Sequence, residues 1–183
     1  MALTALHLAA RRADLQQLRQ PGVQLDVCDP LVGTPVHVAV QYGHVECLQA
    51  LLAAGANPNV AHPSSITALM VAAFNGNAAC ASALLQAGAC VNARATHLEG
   101  HTALHMAAVN RQPAVIAVLH AAGADANAAN KHGQSATLLA VKAGHVECLH
   151  ALLAAGASTG ATDCQGTTLL TAAAEAGNAQ VMA

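Results

Sequence analysis

The sequence predicts an all-α solenoid, a row of short helix–turn–helix units joined by hairpin-like loops, and three observations carry that prediction. A seven-residue block led by Thr or Ser occurs six times at intervals near 33 residues. A Gly-Ala pair keeps the same beat. The composition is 55% hydrophobic but only 1% aromatic, so the core must be built from Ala, Leu and Val on thin, closely packed elements. Ala also has the highest helix propensity, and a fixed period of this length marks a repeat architecture.

The block begins with Thr4-Ala-Leu-His-Leu-Ala-Ala10 and Thr34-Pro-Val-His-Val-Ala-Val40. It continues as Thr67-Ala-Leu-Met-Val-Ala-Ala73, Thr102-Ala-Leu-His-Met-Ala-Ala108, Ser135-Ala-Thr-Leu-Leu-Ala-Val141 and Thr168-Leu-Leu-Thr-Ala-Ala-Ala174. The intervals between the leading residues are 30, 33, 35, 33 and 33. Gly-Ala stands at Gly55, Gly88, Gly123 and Gly156, and Gly43-His-Val-Glu-Cys-Leu48 returns letter for letter as Gly144-His-Val-Glu-Cys-Leu149. Each unit reads as helix, tight turn, helix and extended link. Thr34 suits an N-cap, and Pro35 fits the first helical position, where its missing N–H does no harm. Gly43 permits a left-handed turn. The second helix runs from about Val45 to Ala53, with Cys47, Leu48, Leu51 and Leu52 on one stripe. Gly55 closes it as a left-handed cap, and Asn57 to Ser65 form a turn-rich link. One domain over 1–183 is expected, with units at about 1–30, 31–63, 64–98, 99–131, 132–164 and a partial 165–183.

These residues reproduce the pattern of the ankyrin repeat: a 33-residue period, Thr-Pro-Leu-His-x-Ala, Gly-His-x-Glu and Gly-Ala-x-x-Asn. The resemblance covers essentially the whole chain and is cleanest from Gly100 to Asn127. It implies an ankyrin solenoid whose turns carry Thr–His hydrogen bonds. Met70, Leu138 and Thr171 replace the His, so that bonding is expected in only some units. The link Arg94–Glu99 carries two extra residues and should lengthen one hairpin tip. The first unit is three residues short near Gln20-Pro21-Gly22. In a solenoid the terminal units need polar outer faces, and Arg11, Arg12, Asp14, Gln16, Gln17, Arg19 and Gln20 supply one. The segment Ala179–Ala183 lacks such a cap, so a cut-short array with a fraying last helix is expected.

Charged residues are 9% of the chain and the formal net charge is −2. A basic footprint for nucleic acid is absent, and no apolar run approaches the roughly 18 residues of a membrane span. Neither nucleic acid nor membrane is therefore expected as a partner. The apolar N-terminus precedes Arg11 and Arg12, the reverse of a secretory signal. His44 with Cys47 and His145 with Cys148 form His-x-x-Cys pairs, but structural zinc needs four converging ligands. Cys47, Cys80 and Cys148 instead occupy an apolar helix register shared with Val115. They are expected as small core residues, and reduced thiols suit an intracellular setting, cytoplasmic or nuclear. Cys28, Cys90 and Cys164 fall in links. His7, His37 and His105 recur at one repeat position, as scaffold residues do. No phosphate loop, carboxylate pair or nucleophile elbow appears, so no enzyme and no cofactor is expected.

The resemblance also implies a possible modification: the link asparagines Asn59, Asn92 and Asn127 each follow a Leu by eight residues (Leu51, Leu84 and Leu119), as substrates of an asparaginyl hydroxylase do. The plainer reading is that each Asn steadies its turn. Recognition in such arrays uses the concave face, reached by positions just before the leading Thr and seven or eight after it. That register holds Arg11, Arg12, Leu31, Gln41, Tyr42, Ile66, Phe74, Asn75, Leu98, His101, Val109 and Asn110, then Lys131, His132, Gln134, Lys142 and Glu175. Tyr42 and Phe74 are the only Tyr and Phe in the chain. Exposed aromatics often anchor interfaces, so a patch centred on Tyr42, Phe74, Ile66 and Val109 is expected, flanked by basic residues. The function expected is a monomeric, non-catalytic module of a larger intracellular protein that binds a partner protein. The alternatives are a scaffold or spacer without one dedicated client, or the substrate-recognition part of a ubiquitin-ligase adaptor.

Overall fold

A computed structural model describes residues 5–14, 16 and 24–177. Among these residues the chain is a two-layer helical stack. The helices are α1 (Ala5–Arg12), α2 (Pro35–Gln41), α3 (Val45–Ala53), α4 (Ala68–Asn75), α5 (Ala78–Gln86), α6 (Ala103–Val109), α7 (Pro113–Ala121), α8 (Ala136–Lys142), α9 (Val146–Ala154) and α10 (Leu169–Glu175). The first helices α1, α2, α4, α6, α8 and α10 pack in series as an inner row, and α3, α5, α7 and α9 form an outer row behind them. The three-residue shortening near Gln20, the residues Gln17, Arg19 and Gln20 of the polar cap, and the segment Ala179–Ala183 lie outside the described residues.

Local chemistry sets the inner helices. The Thr34 hydroxyl accepts the His37 N–H, and the His37 ring closes the reciprocal bond on the Thr34 N–H. Thr102 and His105 repeat that arrangement. Where His is missing, Thr67 and Ser135 keep only the bond from the N–H of Met70 and Leu138. Thr171 restores the full box with its own hydroxyl, at 2.8 Å from the Thr168 nitrogen. Gly43 and Gly55 take positive φ values of 70° and 97° as the turn and cap require. The second helix of the unit occupies Val45–Ala53 as its periodicity predicts, and Leu52 is only half-buried while Cys47, Leu48 and Leu51 are enclosed.

The core is thin. Ala39, Ala72, Ala73, Ala107 and Ala108 let neighbouring inner helices approach closely, and Leu48, Leu84, Ile116, Leu119 and Leu152 fill the space between the rows. Each such Leu stabilises the fold by about 1.5–3 kcal/mol relative to exposure. Cys47, Cys80 and Cys148 are fully buried in this layer, as expected of small apolar residues, and Val115 shares their register. One continuous cluster runs from α1 to the fifth unit; a second, smaller one joins Leu138, Val141 and Leu149 to Ala172 and Ala173 of α10.

Polar contacts stitch adjacent units together. His7, His37 and His105 each donate Nε2–H to a backbone carbonyl of the following unit, at Gly33, Ile66 and Gln134, over 2.9–3.1 Å. His44, Asn77 and His145 donate backwards, to the carbonyls of Arg11, Val40 and Ala108. A hairpin tip precedes each inner helix from α2 to α10. Four of these tips close with an N–H to carbonyl bond spanning four residues, as from Asp29 to Gly33 and from His62 to Ile66. The fourth unit's tip closes from Ala95 to His101, two residues longer, as the inserted link predicts.

Candidate functional site

The hairpin tips and inner helices of the second, third and fourth units enclose an open groove of about 560 Å³. Its floor is apolar. Thr67 caps α4 so that Ala68, Leu69, Ala72 and Ala73 face neighbouring helices and Phe74 is left 55% exposed over the groove. Met70 lies buried beneath it. Ile66 is fixed because its carbonyl accepts both the His37 ring and the His62 N–H. Met106 and Val109 of α6 extend the floor, and Leu31 and Leu98 overhang it from the tips. Leu31 is 89% exposed, which is costly for an aliphatic side chain without a covering partner.

Of the residues the variable register singles out, the structure brings together Gln41, Ile66, Phe74, Asn75, His101, Val109 and Asn110 around this groove. Tyr42 and Lys142 do not line it, and neither do Arg11, Arg12, Lys131, His132, Gln134 and Glu175. The Tyr42 ring turns toward the first unit, where it stacks on His44 and lies under the Arg11 guanidinium, 5.5 Å away. Lys142 is bonded at 3.2 Å to Asp163 of the next unit's tip. Val32, His62, Met70, Val71 and Met106 also line the groove and are absent from that register. Met70 had a visible signal: it stands where three sister units carry His.

The groove carries no fixed charge, for none of its lining residues is Asp, Glu, Lys or Arg. Its polar atoms belong to side-chain amides, Ser64 and the rings of His37, His62 and His101. Burial pulls the pKa of His37 below its ordinary value, against the bond to Ile66. Burial likewise lowers His101, whose Nε2 accepts from the Asn130 amide at 3.0 Å. Beneath it His105, stacked at 5.2 Å, is brought down to about 4, again chiefly by burial. The His37 and His105 rings are neutral at pH 7, with Nε2–H donating to a carbonyl and Nδ1 accepting from the Thr hydroxyl.

The other conspicuous residues serve the scaffold. His44 and Cys47 both address the first unit, through the carbonyls of Arg11 and Ala10. The link asparagines reach across seams rather than steadying their own turns: Asn59, Asn92 and Asn127 accept the N–H of Cys90, Asp125 and Ser158 in the following unit, over 2.7–2.9 Å. The own-turn role falls to Asn57 and Asp125, two residues earlier. Leu51, Leu84 and Leu119 are fully buried, so an enzyme that reads the Leu and acts on the Asn must first open the seam.

Among the described residues no helix is long and apolar enough to cross a membrane. A family model described as ankyrin repeats (3 copies) matches residues 36–130 and again 104–183. No curated protein matches the chain.

Proposed function

The chain belongs to the ankyrin-repeat family, whose arrays are generally protein–protein interaction modules, and from that premise we propose that it is a non-catalytic recognition module docking a partner protein in the groove of its second to fourth units. One observation carries this reading: Leu31, Phe74, Leu98 and Val109 are left exposed together around a single uncharged concavity. The other large apolar side chains exposed among the described residues, Tyr42, Leu153 and Leu170, lie outside it, scattered over the second, fifth and sixth units rather than around one concavity. A side chain that contributes nothing to the core yet is large and apolar is the kind that anchors an interface. Thiols that are buried and unpaired agree with an intracellular setting.

The test is affinity capture from cell lysate with quantitative mass spectrometry, using the native chain, Phe74→Ala and Tyr42→Ala. Phe74→Ala should leave the thermal midpoint unchanged and weaken a specific partner by about 2 kcal/mol, the cost of removing an interface anchor. Tyr42→Ala, outside the groove, should have little effect on it. If every captured protein is retained equally by Phe74→Ala, the groove is not the recognition site.

A further inference from the structure

Resting on that docking reading, we infer that the groove's occupant is an uncharged peptide segment bound in extended form, with an apolar side chain at every third position. The charge argument comes first. No lining residue carries a fixed charge, and the cations nearby are engaged: Lys142 on Asp163, Arg94 on the Ala129 carbonyl and Lys131 on the Thr96 carbonyl. A charged side chain entering the groove would lose its water and meet no counter-charge on the lining itself.

Spacing narrows the form. The helices α2, α4 and α6 pack side by side, so like positions recur about every 8–10 Å. An extended polyproline-type chain returns to the same face after three residues, about 9.3 Å. An α-helix does so after seven residues, about 10.5 Å. Spacing alone therefore admits both.

Backbone chemistry separates them. A helix satisfies its own N–H and C=O groups, whereas an extended chain must find outside partners. Gln41, Asn75 and Asn110 supply such partners, one from each unit along one lip. The Asn75 amide donates to the Gln41 carbonyl and the Asn110 amide to the Met106 carbonyl. Both Oδ1 atoms and the Gln41 side-chain amide have no partner among the described residues. A row of groups that both donate and accept matches an extended backbone; a helix laid over it would bury those groups unpaired.

The test is selection of a phage-displayed random peptide library, about a dozen residues long, on the native chain, with counter-selection on Phe74→Ala. Selected sequences should be depleted in Lys, Arg, Asp and Glu and enriched in apolar residues at i, i+3 and i+6, often with Pro between. Their synthetic versions, measured by fluorescence polarisation, should bind at least about fivefold more weakly to the triple variant Gln41→Ala, Asn75→Ala, Asn110→Ala, whose amides no longer meet the backbone. Circular dichroism should show that variant folded. Phe74-dependent peptides with helical i, i+4, i+7 patterns, with charged consensus positions, or with no response to the triple variant, would overturn the extended form while leaving the groove as the docking site. A selection yielding no Phe74-dependent peptide would overturn both.

Discussion

Thr137 is the residue most out of step with its surroundings. Its repeat position holds Val36, Leu69 and Leu104, all buried, and Thr137 is buried too, but its hydroxyl has no hydrogen-bond partner among the described residues. An unpaired buried polar group costs about 1–3 kcal/mol. Thr137→Val, which keeps the shape and removes the hydroxyl, should therefore stabilise the chain by about 1–2 kcal/mol, read as a raised urea midpoint with unchanged slope. No gain would mean that the hydroxyl finds a partner. His105 argues in the other direction. Its folded pKa of about 4 lies below the ordinary 6.5, so the unfolded chain takes up the proton first. Stability is then complete above about pH 6.5 and declines as pH falls toward 4. His37, also depressed by burial, adds to the same slope. Urea midpoints should fall steadily between about pH 7 and pH 5, and the His105 ring protons should stay at their neutral NMR shifts over that range. A flat profile would contradict the burial of these rings.

At the scale of elements, the seams between units differ in strength. The seam between the second and third units has His37, Asn77 and Asn59 bonding across it. At the next seam Met70 replaces the His, and Asn92 carries the corresponding contact with Asp125. Asn92→Ala should accordingly cost about 1 kcal/mol or more, and more than Asn59→Ala, in matched denaturation curves; equal losses would show that the seams share load evenly. Much of this element-level detail was open to reading in the sequence. Helix limits at Val45 and Ala53, the Thr34 cap and the longer tip at Ala95–His101 follow from residue types with a known backbone preference. The direction of the asparagine bonds did not, because a side chain two residues into a link can turn to its own loop or to the next one. The tip-forming roles of Asp29, Asn130 and Asp163, which accept N–H groups from their own loops, were hidden for the same reason.

For the whole molecule, stability is distributed along a line. The main core ends at the fifth unit and α10 contributes only Ala172 and Ala173 as buried residues, with Leu170 standing 70% exposed. Hydrogen exchange should show weaker protection in α10 than in α4 and α6, and equal protection would refute a graded array. Thiol labelling reports the same architecture: Cys28, Cys90 and Cys164 are exposed, while Cys47, Cys80 and Cys148 are buried, with Cys47 pushed up to about 11 by burial. A maleimide should modify three thiols in the native chain and all six after unfolding. As for the groove, repeat register located most of its wall, since positions near the leading Thr recur on one face. It misplaced Tyr42 and Lys142, whose side chains are claimed by Arg11 and Asp163, contacts between units that no single-unit pattern contains.

The stitches from His7, His37 and His105 all end on main-chain carbonyls. Plug and socket are therefore unequal: the plug demands a particular side chain, while every peptide chain supplies the socket. A duplicated unit carries its own plug and meets a ready socket wherever it lands. Lengthening or shortening such an array by whole cassettes needs no matching change in the neighbour, which leaves the walls of the groove free to diversify while the joints stay interchangeable.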